Sequence, residues 1–386
     1  MTKHRFRVFP DALPWMVAIF VVALWAFFAQ RLYRSASGES RVELAARGQT
    51  STTYSAVQSE GTNRASLPSV DQKQTGHVNM LVVGDIMLGR YVETLMKKNG
   101  NDYPFANVNK ILSGHDIVLG NLEGPIDTYH TQTLDNSLHF SFSPDIAPTL
   151  KQQGFSFLGV ANNHSHDQGT RGVDDTRAAL TTAGIIPLGD SKKVTQDFVV
   201  TKTINDQEMI LVGMNALSPS FPLDDATTLI KNLRLQHPDA FLLLFPHWGT
   251  EYAPTSTARQ RMLGHAFIDA GADAVVGHHP HVVEEAEVYR GRLILYSLGN
   301  FIFDQYFSTE TQEELAVELV IQPQSVRYSF HPLISEKSQP KPMNDPDARS
   351  WLSAFAERSS GILLEQGALT LERRGTLSPA YSPSTQ

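Results

Sequence analysis

Six short apolar segments of this chain each end next to polar residues that carry oxygen or nitrogen donor atoms. The segments cover residues 78–83, 117–119, 157–160, 241–245, 274–276 and 293–296. Helical patterns occur between some of them, at residues 146–153, 173–183 and 256–270. Buried strands that alternate with helices indicate an α/β fold. Because open α/β sheets bind ligands beyond the carboxyl ends of their strands, we expect the polar residues to converge on one site.

The expected site combines carboxylates, a carboxamide and imidazoles. Its members are Asp85, Glu123, Asn163, His164, His166, His247, His279 and His281. The chain has no cysteine, so thiolate ligands and disulfides are excluded. Oxygen and imidazole donors suit Mn, Fe, Zn, Mg or Ca rather than a soft metal. A divalent ion in such a site can activate bound water, and a histidine that is not a ligand can protonate a leaving group.

Single members of this set also have simpler interpretations. Asp85 is of the residue type that commonly caps a helix. Asn162 and Asn163 are typical turn residues, although the histidines that follow them favour a site. Trp248 and Tyr252 could stack on a substrate, or they could belong to the core, which is the commoner role for aromatic residues.

Residues 12–30 contain no charged side chain and are almost wholly apolar. At about 1.5 Å per residue, a helix of this length nearly spans a hydrocarbon core of about 30 Å. Trp15 and Trp25 lie towards its two ends, as aromatic residues at membrane interfaces do. A cleavable signal peptide would have a shorter apolar region and small residues near its exit, whereas Phe27 and Phe28 occupy the exit here. The segment favours an uncleaved transmembrane helix over a signal peptide.

The anchor prediction divides the chain into five parts. They are a cytoplasmic leader at 1–11, the transmembrane anchor at 12–30, a flexible linker at 31–76, the body at 77–335, and a C-terminal helix with a disordered tail at 336–386. The linker is rich in Ser, Thr, Gln and Gly and has no apolar pattern. Basic residues flank the anchor on both sides and give a slight preference for an inside N-terminus. We therefore predict a single-pass protein of the cell membrane with its body outside the cytoplasm.

The charge distribution argues against nucleic acid as a partner. The whole chain has a net charge of -8, but residues 35–386 hold 27 basic and 39 acidic side chains. Nucleic acids bind basic surfaces, so an acidic body is unsuited to them. It is also a poor electrostatic partner for a polyanion away from a bound metal.

Six sequence motifs carry a resemblance to a known family. They are GDIML (84–88), NLEGP (121–125), ANNHSHDQG (161–169), HWGTEY (247–252), GADAVVGHHPHV (271–282) and YSLGNFIF (296–303). Together and in this order they resemble the motifs of the CapA/PgsA family of capsule and poly-γ-glutamate biosynthesis proteins. The resemblance covers roughly residues 78–305 and implies the metallophosphatase superfamily, whose fold is a two-sheet sandwich flanked by helices.

The same resemblance implies a ligand set for two metal ions. The first metal is expected to have the ligands Asp85 and His281. The second metal is expected to have the ligands Asn163, His247 and His279. Glu123 takes the place of the carboxylate that bridges the two ions. His164 matches an outer-sphere histidine that acts as an acid towards the leaving group, and Asp167 is expected to orient His164 or His166.

Two positions depart from the usual superfamily pattern. Met87 stands where metallophosphatases have a histidine two residues after the first aspartate, and Glu123 replaces a bridging aspartate. The first metal then has only Asp85, Glu123 and His281 as ligands. We therefore expect one or two divalent ions, of which Mn, Fe or Zn are favoured.

Two functions follow from the resemblance as expectations. One is a metal-dependent hydrolase that acts outside the membrane on a phosphoester or a cell-envelope polymer. The other is a non-catalytic accessory subunit that helps to assemble, retain or export an anionic polymer such as poly-γ-glutamate, while a metal-assisted polymer binder lies between the two. The expected partners are the cytoplasmic membrane and other membrane subunits of a polymer synthase or exporter. A requirement for His164 would distinguish an enzyme from a scaffold, because only the enzyme needs a proton donor.

Overall fold

The computed structural model describes residues 76–373, which form two β-sheets and the helices that flank them. The strands are β1 (Val78–Ile86), β2 (Ile117–Leu122), β3 (Phe157–Gly159), β4 (Ile186–Leu188), β5 (Val199–Ile204), β6 (Gln207–Asn215), β7 (Phe241–His247), β8 (Ala274–Val276), β9 (Ala286–Tyr289), β10 (Arg292–Leu295), β11 (Asn300–Ile302), β12 (Glu313–Ile321), β13 (Ser325–Glu336), β14 (Gln339–Pro342) and β15 (Ala368–Glu372). The α-helices are α1 (Arg90–Asn99), α2 (Asn109–Leu112), α3 (Ile146–Gln152), α4 (Gly169–Thr182), α5 (Leu223–Gln236), α6 (Ala258–Ala270) and α7 (Asp345–Arg358). The expected α/β fold with two sheets and flanking helices is confirmed.

The first sheet has nine strands, in the order β14-β13-β12-β1-β2-β3-β4, with β11 beside β1 and β15 beside β13. Strands β1 to β4 run parallel, whereas β12 pairs with β1 in the antiparallel direction. Strands β14 and β15 both pair with β13, so this sheet continues beyond residue 335, where the sequence analysis ended the body.

The second sheet has six strands, in the order β5-β6-β7-β8-β10-β9. Its four central strands run parallel, and an antiparallel strand closes each edge. Both sheets therefore contain a set of parallel strands, and parallel strands present their carboxyl ends at one edge.

Alternation along the strands builds the core in three apolar layers. In β1, Met80 and Val82 face the second sheet, where they join a cluster that includes Leu211 and Leu243. The intervening residues, such as Leu81, pack under helices α1 to α4 on the outer face of the first sheet. Helices α5 and α6 cover the outer face of the second sheet in the same way. Successive side chains of a strand point to opposite faces of its sheet. The apolar side chains on both faces of each sheet must therefore be covered.

All six predicted apolar segments correspond to strands, namely β1, β2, β3, β7, β8 and β10, although two of them extend one residue beyond the strand. The three helical patterns correspond to α3, α4 and α6, and Gly271 follows α6 with a φ of 129°. Strand β6 and helix α5 were not predicted, because neither is followed by a motif of donor residues like those that follow the six predicted strands.

The predicted leader, anchor and all but the last residue of the linker lie outside the described residues, as do residues 374–386 of the predicted tail. Within residues 76–373, no helix combines the length and the apolar character needed to cross a membrane. The C-terminal helix predicted after residue 336 corresponds to α7.

Glu284 is a buried carboxyl group on the segment between β8 and β9. Its Oε2 accepts a hydrogen bond of 2.6 Å from Nε2 of Gln260, whereas its Oε1 has no hydrogen-bond partner among the described residues. Burial raises the pKa of Glu284 to about 8, and repulsion from Glu285 adds to the rise. Because the folded state resists losing this proton, folding becomes less favourable as pH rises from about 4.5 to about 8.

Replacement of Glu284 by glutamine is therefore expected to stabilise the protein at alkaline pH. The gain in the free energy of unfolding should be roughly 2–5 kcal/mol at pH 9 and close to zero at pH 4, where the carboxyl is protonated in both states. Thermal unfolding of the parent and E284Q proteins at the two pH values checks this. A shift in Tm of the same size at both pH values would contradict it.

Candidate metal centre

The carboxyl ends of both sheets meet at one cluster of polar side chains. Asp85 lies in the last part of β1, Glu123 directly follows β2, and His247 is the last residue of β7. His279 and His281 follow β8. Strand register brings these positions together, because Asp85 lies opposite Asn121 of β2 and His247 forms a bridge with His278.

Two overlapping groups of buried side chains offer possible metal ligands. Within each group, the ligand atoms all lie within 4.8 Å of one another. One group is Asp85, Glu123 and His247, and the other is Glu123, His279 and His281. Glu123 belongs to both groups. A carboxylate shared in this way is suited to bridge two ions, which is the role that the resemblance implies for it.

The loop after β3 brings the remaining predicted residues to the same cluster. The Oδ1 of Asn163 lies 2.7 Å from Nε2 of His247. The Nε2 of His164 lies 3.9 Å from Oε1 of Glu123, and its Nδ1 lies 2.9 Å from Oδ2 of Asp167. The six predicted ligands and His164 are thus adjacent, and Asp167 contacts His164, whereas His166 of the expected site lies on the same loop outside both ligand groups.

Burial shifts the pKa values of Asp85, Glu123 and His279 towards the neutral form of each group. It raises the pKa of Asp85 to about 7, while the amide of Asn121 and the backbone N–H of His279 oppose the rise. The pKa of Glu123 lies well above its usual value because of burial and the proximity of Asp85. Burial lowers the pKa of His279 to about 4, so its imidazole is neutral at pH 7.

These residues fit a divalent cation. Oε1 of Glu123 and Nδ1 of His279 are buried without a hydrogen-bond partner among residues 76–373, which is costly for polar atoms. Neutral imidazoles and carboxylates are the forms that bind metals, and a cation would offset the cost of ionising two buried carboxyl groups. The donor set of oxygens and imidazole nitrogens suits a hard or borderline ion.

Asn121 is a central residue that the sequence analysis did not select. Its Nδ2 donates to Oδ1 of Asp85 at 2.8 Å and lies 3.4 Å from both Oε2 of Glu123 and Nδ1 of His247. Its Oδ1 accepts a hydrogen bond from Nδ2 of Asn162 at 3.0 Å. Its place at the carboxyl end of β2, within the NLEGP motif, is the signal that could have identified it.

Replacement of Asn121 by alanine is expected to lower metal affinity about 10- to 100-fold, because hydrogen bonds to ligands fix their orientation. Competition with a chelator of known affinity measures the change. An unchanged affinity would contradict the orienting role of Asn121.

Asn300 fixes the tautomer of His281. Its Nδ2 donates to the backbone oxygens of His281 and Thr311, so its Oδ1 is the atom 3.0 Å from Nδ1 of His281. Because this oxygen can only accept, Nδ1 of His281 carries the proton. Nε2 then keeps its lone pair, 3.6 Å from Oε1 of Glu123, as a metal ligand requires.

Phe140 holds the predicted proton donor from a different loop. Its ring stacks on His164 with the centroids 4.2 Å apart, and its backbone N–H donates to Oδ2 of Asp167 at 2.7 Å. The same Asp167 oxygen therefore serves both Phe140 and His164. No sequence motif pointed to Phe140, because its contact depends on the path of a loop.

The remaining aromatic and histidine residues of these motifs separate into core and site. Trp248 is buried and donates from Nε1 to the backbone oxygen of Tyr296, so it belongs to the core. His278 places Nε2 3.1 Å from the backbone oxygen of Val83 and packs against Phe245. His278 therefore has a structural role, whereas the next residue, His279, faces the cluster.

The backbone of the HHPH segment is strained. His279 has a φ of 103° and His281 a φ of 59°, in a region that residues other than glycine rarely adopt. The backbone N–H of His279 donates to Oδ2 of Asp85 at 3.2 Å and helps to hold this conformation. Such strain persists where the surroundings determine the conformation, and it concentrates at functional sites.

A family model described as bacterial capsule synthesis protein PGA_cap matches residues 79–305. The match includes more than half of the chain and every predicted site residue. The chain belongs to the PGA_cap family. This confirms the resemblance that the six motifs carry.

Three relatives are similar to this chain over about 300 residues, well beyond the motifs. The capsule biosynthesis protein CapA of Bacillus anthracis is 31% identical over 295 residues, which cover 71% of this chain and 71% of the relative. The PGA biosynthesis protein CapA of Bacillus subtilis (strain 168) is 33% identical over 297 residues, or 72% of this chain and 77% of the relative. A probable polyglutamine synthesis accessory protein of Mycobacterium tuberculosis (strain ATCC 25618 / H37Rv) is 25% identical over 302 residues, or 63% and 78%.

Proposed function

We propose that this PGA_cap family member is a metal-dependent phosphoester hydrolase that acts in the biosynthesis of a capsule or poly-γ-glutamate-type polymer. The observation that carries the proposal is the buried ligand cluster, whose bridging candidate Glu123 lies beside the His164–Asp167 pair. The two-sheet sandwich with helices on both outer faces agrees with a metallophosphatase-like fold. The names of the two Bacillus relatives support the biological role.

Each polar residue of the cluster has a distinct task in this proposal. Asp85, Glu123, Asn163, His247, His279 and His281 would hold one or two divalent ions. When bound, such ions activate water and stabilise negative charge on the phosphoryl oxygens. Asp167 accepts from Nδ1 of His164 and stabilises its protonated form, so Nε2 of His164 can give a proton to the leaving oxygen. Phe140 keeps the imidazole plane in place.

Hydrolysis by the full chain tests the proposal. The chain is purified in detergent, supplied with Mn, Zn or Fe, and assayed for release of alcohol and phosphate from simple phosphate monoesters and diesters. We expect turnover that a chelator abolishes and that metal restores. Bound metal without turnover on any of these esters would refute the hydrolase.

A non-catalytic accessory role is the second candidate, and one observation favours it. Met87 is a buried thioether at the position where metallophosphatases have a histidine, which leaves the first metal with one ligand fewer. The printed name of the Mycobacterium relative includes the words accessory protein. An accessory protein would keep its metal and its partner contacts without any need for His164.

The proposed place of action is the outer side of the cytoplasmic membrane, with residues 12–30 as anchor and other membrane subunits of a polymer synthase or exporter as partners. The uncharged apolar run and the long polar segment after it support this arrangement. We expect the full chain to sediment with membranes and its body to be digested by protease added to intact spheroplasts. Recovery of the chain in the soluble fraction would contradict the anchor.

A further inference from the structure

Two pairs of exposed aromatic side chains, Tyr252 with Phe307 and Tyr91 with Tyr306, are here called the aromatic rim, and Tyr252 lies beside His281 of the candidate metal centre. The exposed fractions of the four rim side chains are, in that order, 43%, 65%, 38% and 36%. The ring centroid of Tyr252 lies 5.1 Å from that of Phe307 and 5.9 Å from that of His281, and Tyr91 contacts Tyr306 edge-on at 6.4 Å. Exposed apolar side chains grouped next to a polar site mark a ligand-binding surface.

Tyr252 is fixed in place by contacts that lead to the metal centre. Its φ is 62°, and its backbone N–H donates to the oxygen of Pro280 at 2.7 Å. Its hydroxyl accepts a hydrogen bond of 3.1 Å from Nε2 of Gln305, whose Oε1 accepts one of 3.1 Å from Asn300. Asn300 in turn orients His281. A large side chain in the left-handed region, linked to a candidate ligand by a chain of three hydrogen bonds, is typical of a functional position.

The charges next to the rim disfavour a polyanion there. Glu251 precedes Tyr252, and Asp304 lies close to Tyr306 in the chain. Arg90 is the cation that lies near these residues. It already forms an ion pair with Asp304, and its guanidinium lies over the ring of Phe303. Arg90 and Asp304 offset each other, so a chain with one carboxylate per residue would meet the exposed carboxylate of Glu251 at the rim, and these contacts supply no free cation. The rim therefore suits an uncharged group.

We propose that the aromatic rim binds the sugar ring of a glycosyl phosphoester whose phosphoryl group lies at the candidate metal centre. The apolar C–H face of a pyranose packs on aromatic rings, and the hydroxyl of Tyr252 and the amide of Gln305 match its hydroxyl groups. The ring of Tyr252 is close enough to His281 for sugar and phosphoryl to be adjacent units. This inference rests on the proposed function and assigns its substrate class.

The reaction is a hydrolysis that needs only water as co-substrate. The oxygen of water forms a bond to phosphorus, and the bond between phosphorus and the sugar oxygen breaks. That oxygen takes the proton from Nε2 of His164, and the proton lost by water restores His164 through solvent. The products are the free sugar hydroxyl and phosphate.

The first test compares the hydrolysis of N-acetylglucosamine 1-phosphate and methyl phosphate by the metal-loaded full chain. We expect a KM for the sugar ester at least 10-fold below that for methyl phosphate. In the variants Tyr252→Leu and Phe307→Ala the ratio of the two KM values should approach one. Leu235→Ala, which alters an exposed apolar side chain on α5, should leave the ratio unchanged. Equal KM values in the parent would overturn the inference and leave the hydrolase standing.

The second test needs no turnover and therefore separates the rim from the proposed function. Saturation-transfer NMR on the full chain without metal uses methyl N-acetylglucosaminide, with a γ-linked glutamate tetramer as competitor. We expect saturation of the sugar protons that Phe307→Ala removes, that the control Leu235→Ala retains and that the tetramer leaves unchanged. Saturation that survives Phe307→Ala, or displacement by the tetramer, would overturn the inference. Sugar binding without hydrolysis of any ester would refute the proposed function and, with it, the phosphoester part of the substrate class.

Discussion

Replacement of His164 by alanine is expected to lower kcat for phosphoester hydrolysis about 100- to 10,000-fold while the metal content stays the same. His164 lies outside both buried ligand groups, so its loss removes a proton donor and no ligand. Its Nε2 points towards Glu123, and its Nδ1 is held by Asp167, which is the arrangement that an acid beside a reacting phosphoryl group needs. Steady-state kinetics and elemental analysis of the same preparations measure both quantities.

His166→Ala is the matched control for this variant. It removes an imidazole two residues away that is partly buried, on the same loop, and outside both ligand groups. We expect its kcat to stay within about threefold of the parent value, because a single substitution that touches no reacting group has a small effect. The kcat of Asp167→Asn should lie between those of His164→Ala and His166→Ala. Its dependence on pH should also change, because the substitution alters the hydrogen-bond partner of His164. Full activity in His164→Ala would refute the acid role.

The double replacement of His279 and His281 by alanine is expected to abolish metal binding. The parent chain should bind about one or two equivalents of Mn, Zn or Fe, and the variant less than about 0.1 equivalent, because the group of Glu123, His279 and His281 would lose both of its imidazoles. Elemental analysis after dialysis measures the metal content. Turnover should be lost together with the metal.

His278→Ala is the matched control within the same segment. Its ring packs against Phe245 and faces the backbone oxygen of Val83, away from the ligand cluster. We expect this variant to keep its metal and to lose about 1–3 kcal/mol of stability, because a buried ring is removed from the core. Metal loss in His278→Ala equal to that in the double variant would contradict the separation of the two faces. Unchanged metal content in the double variant would refute the ligand set.

The members of the candidate centre could be predicted from the sequence because they follow the carboxyl ends of strands. Asp85, Glu123, His247 and His279 belong to four segments far apart in the chain, and each lies at or just after the carboxyl end of a parallel strand. Parallel pairing places those ends at one edge of each sheet, which the sequence pattern predicted, and the two edges meet at the ligand cluster. The ordered motifs then added the family, which the match over residues 79–305 confirms.

The positioning residues could not be found in the same way. Asn121 and Asn300 are ordinary asparagines in the sequence, and their importance depends on strand register, which sets each opposite Asp85. Phe140 reaches His164 from a loop that has no periodic pattern. Trp248 and Tyr252 lie four residues apart in one motif, yet the first is buried under α6 and the second is exposed beside His281.

The sequence by itself therefore determined the α/β class, the family, and which side chains could bind a metal, because these depend on local apolar patterns and on residue chemistry. Only the tertiary structure decided which histidine faces the cluster, which nitrogen of His281 is free to bind, and which aromatic residues remain exposed at the rim. These properties depend on distances and directions between segments that are far apart in the chain. Strand register, hydrogen bonds and burial set those distances, and none of the three is encoded in a local pattern.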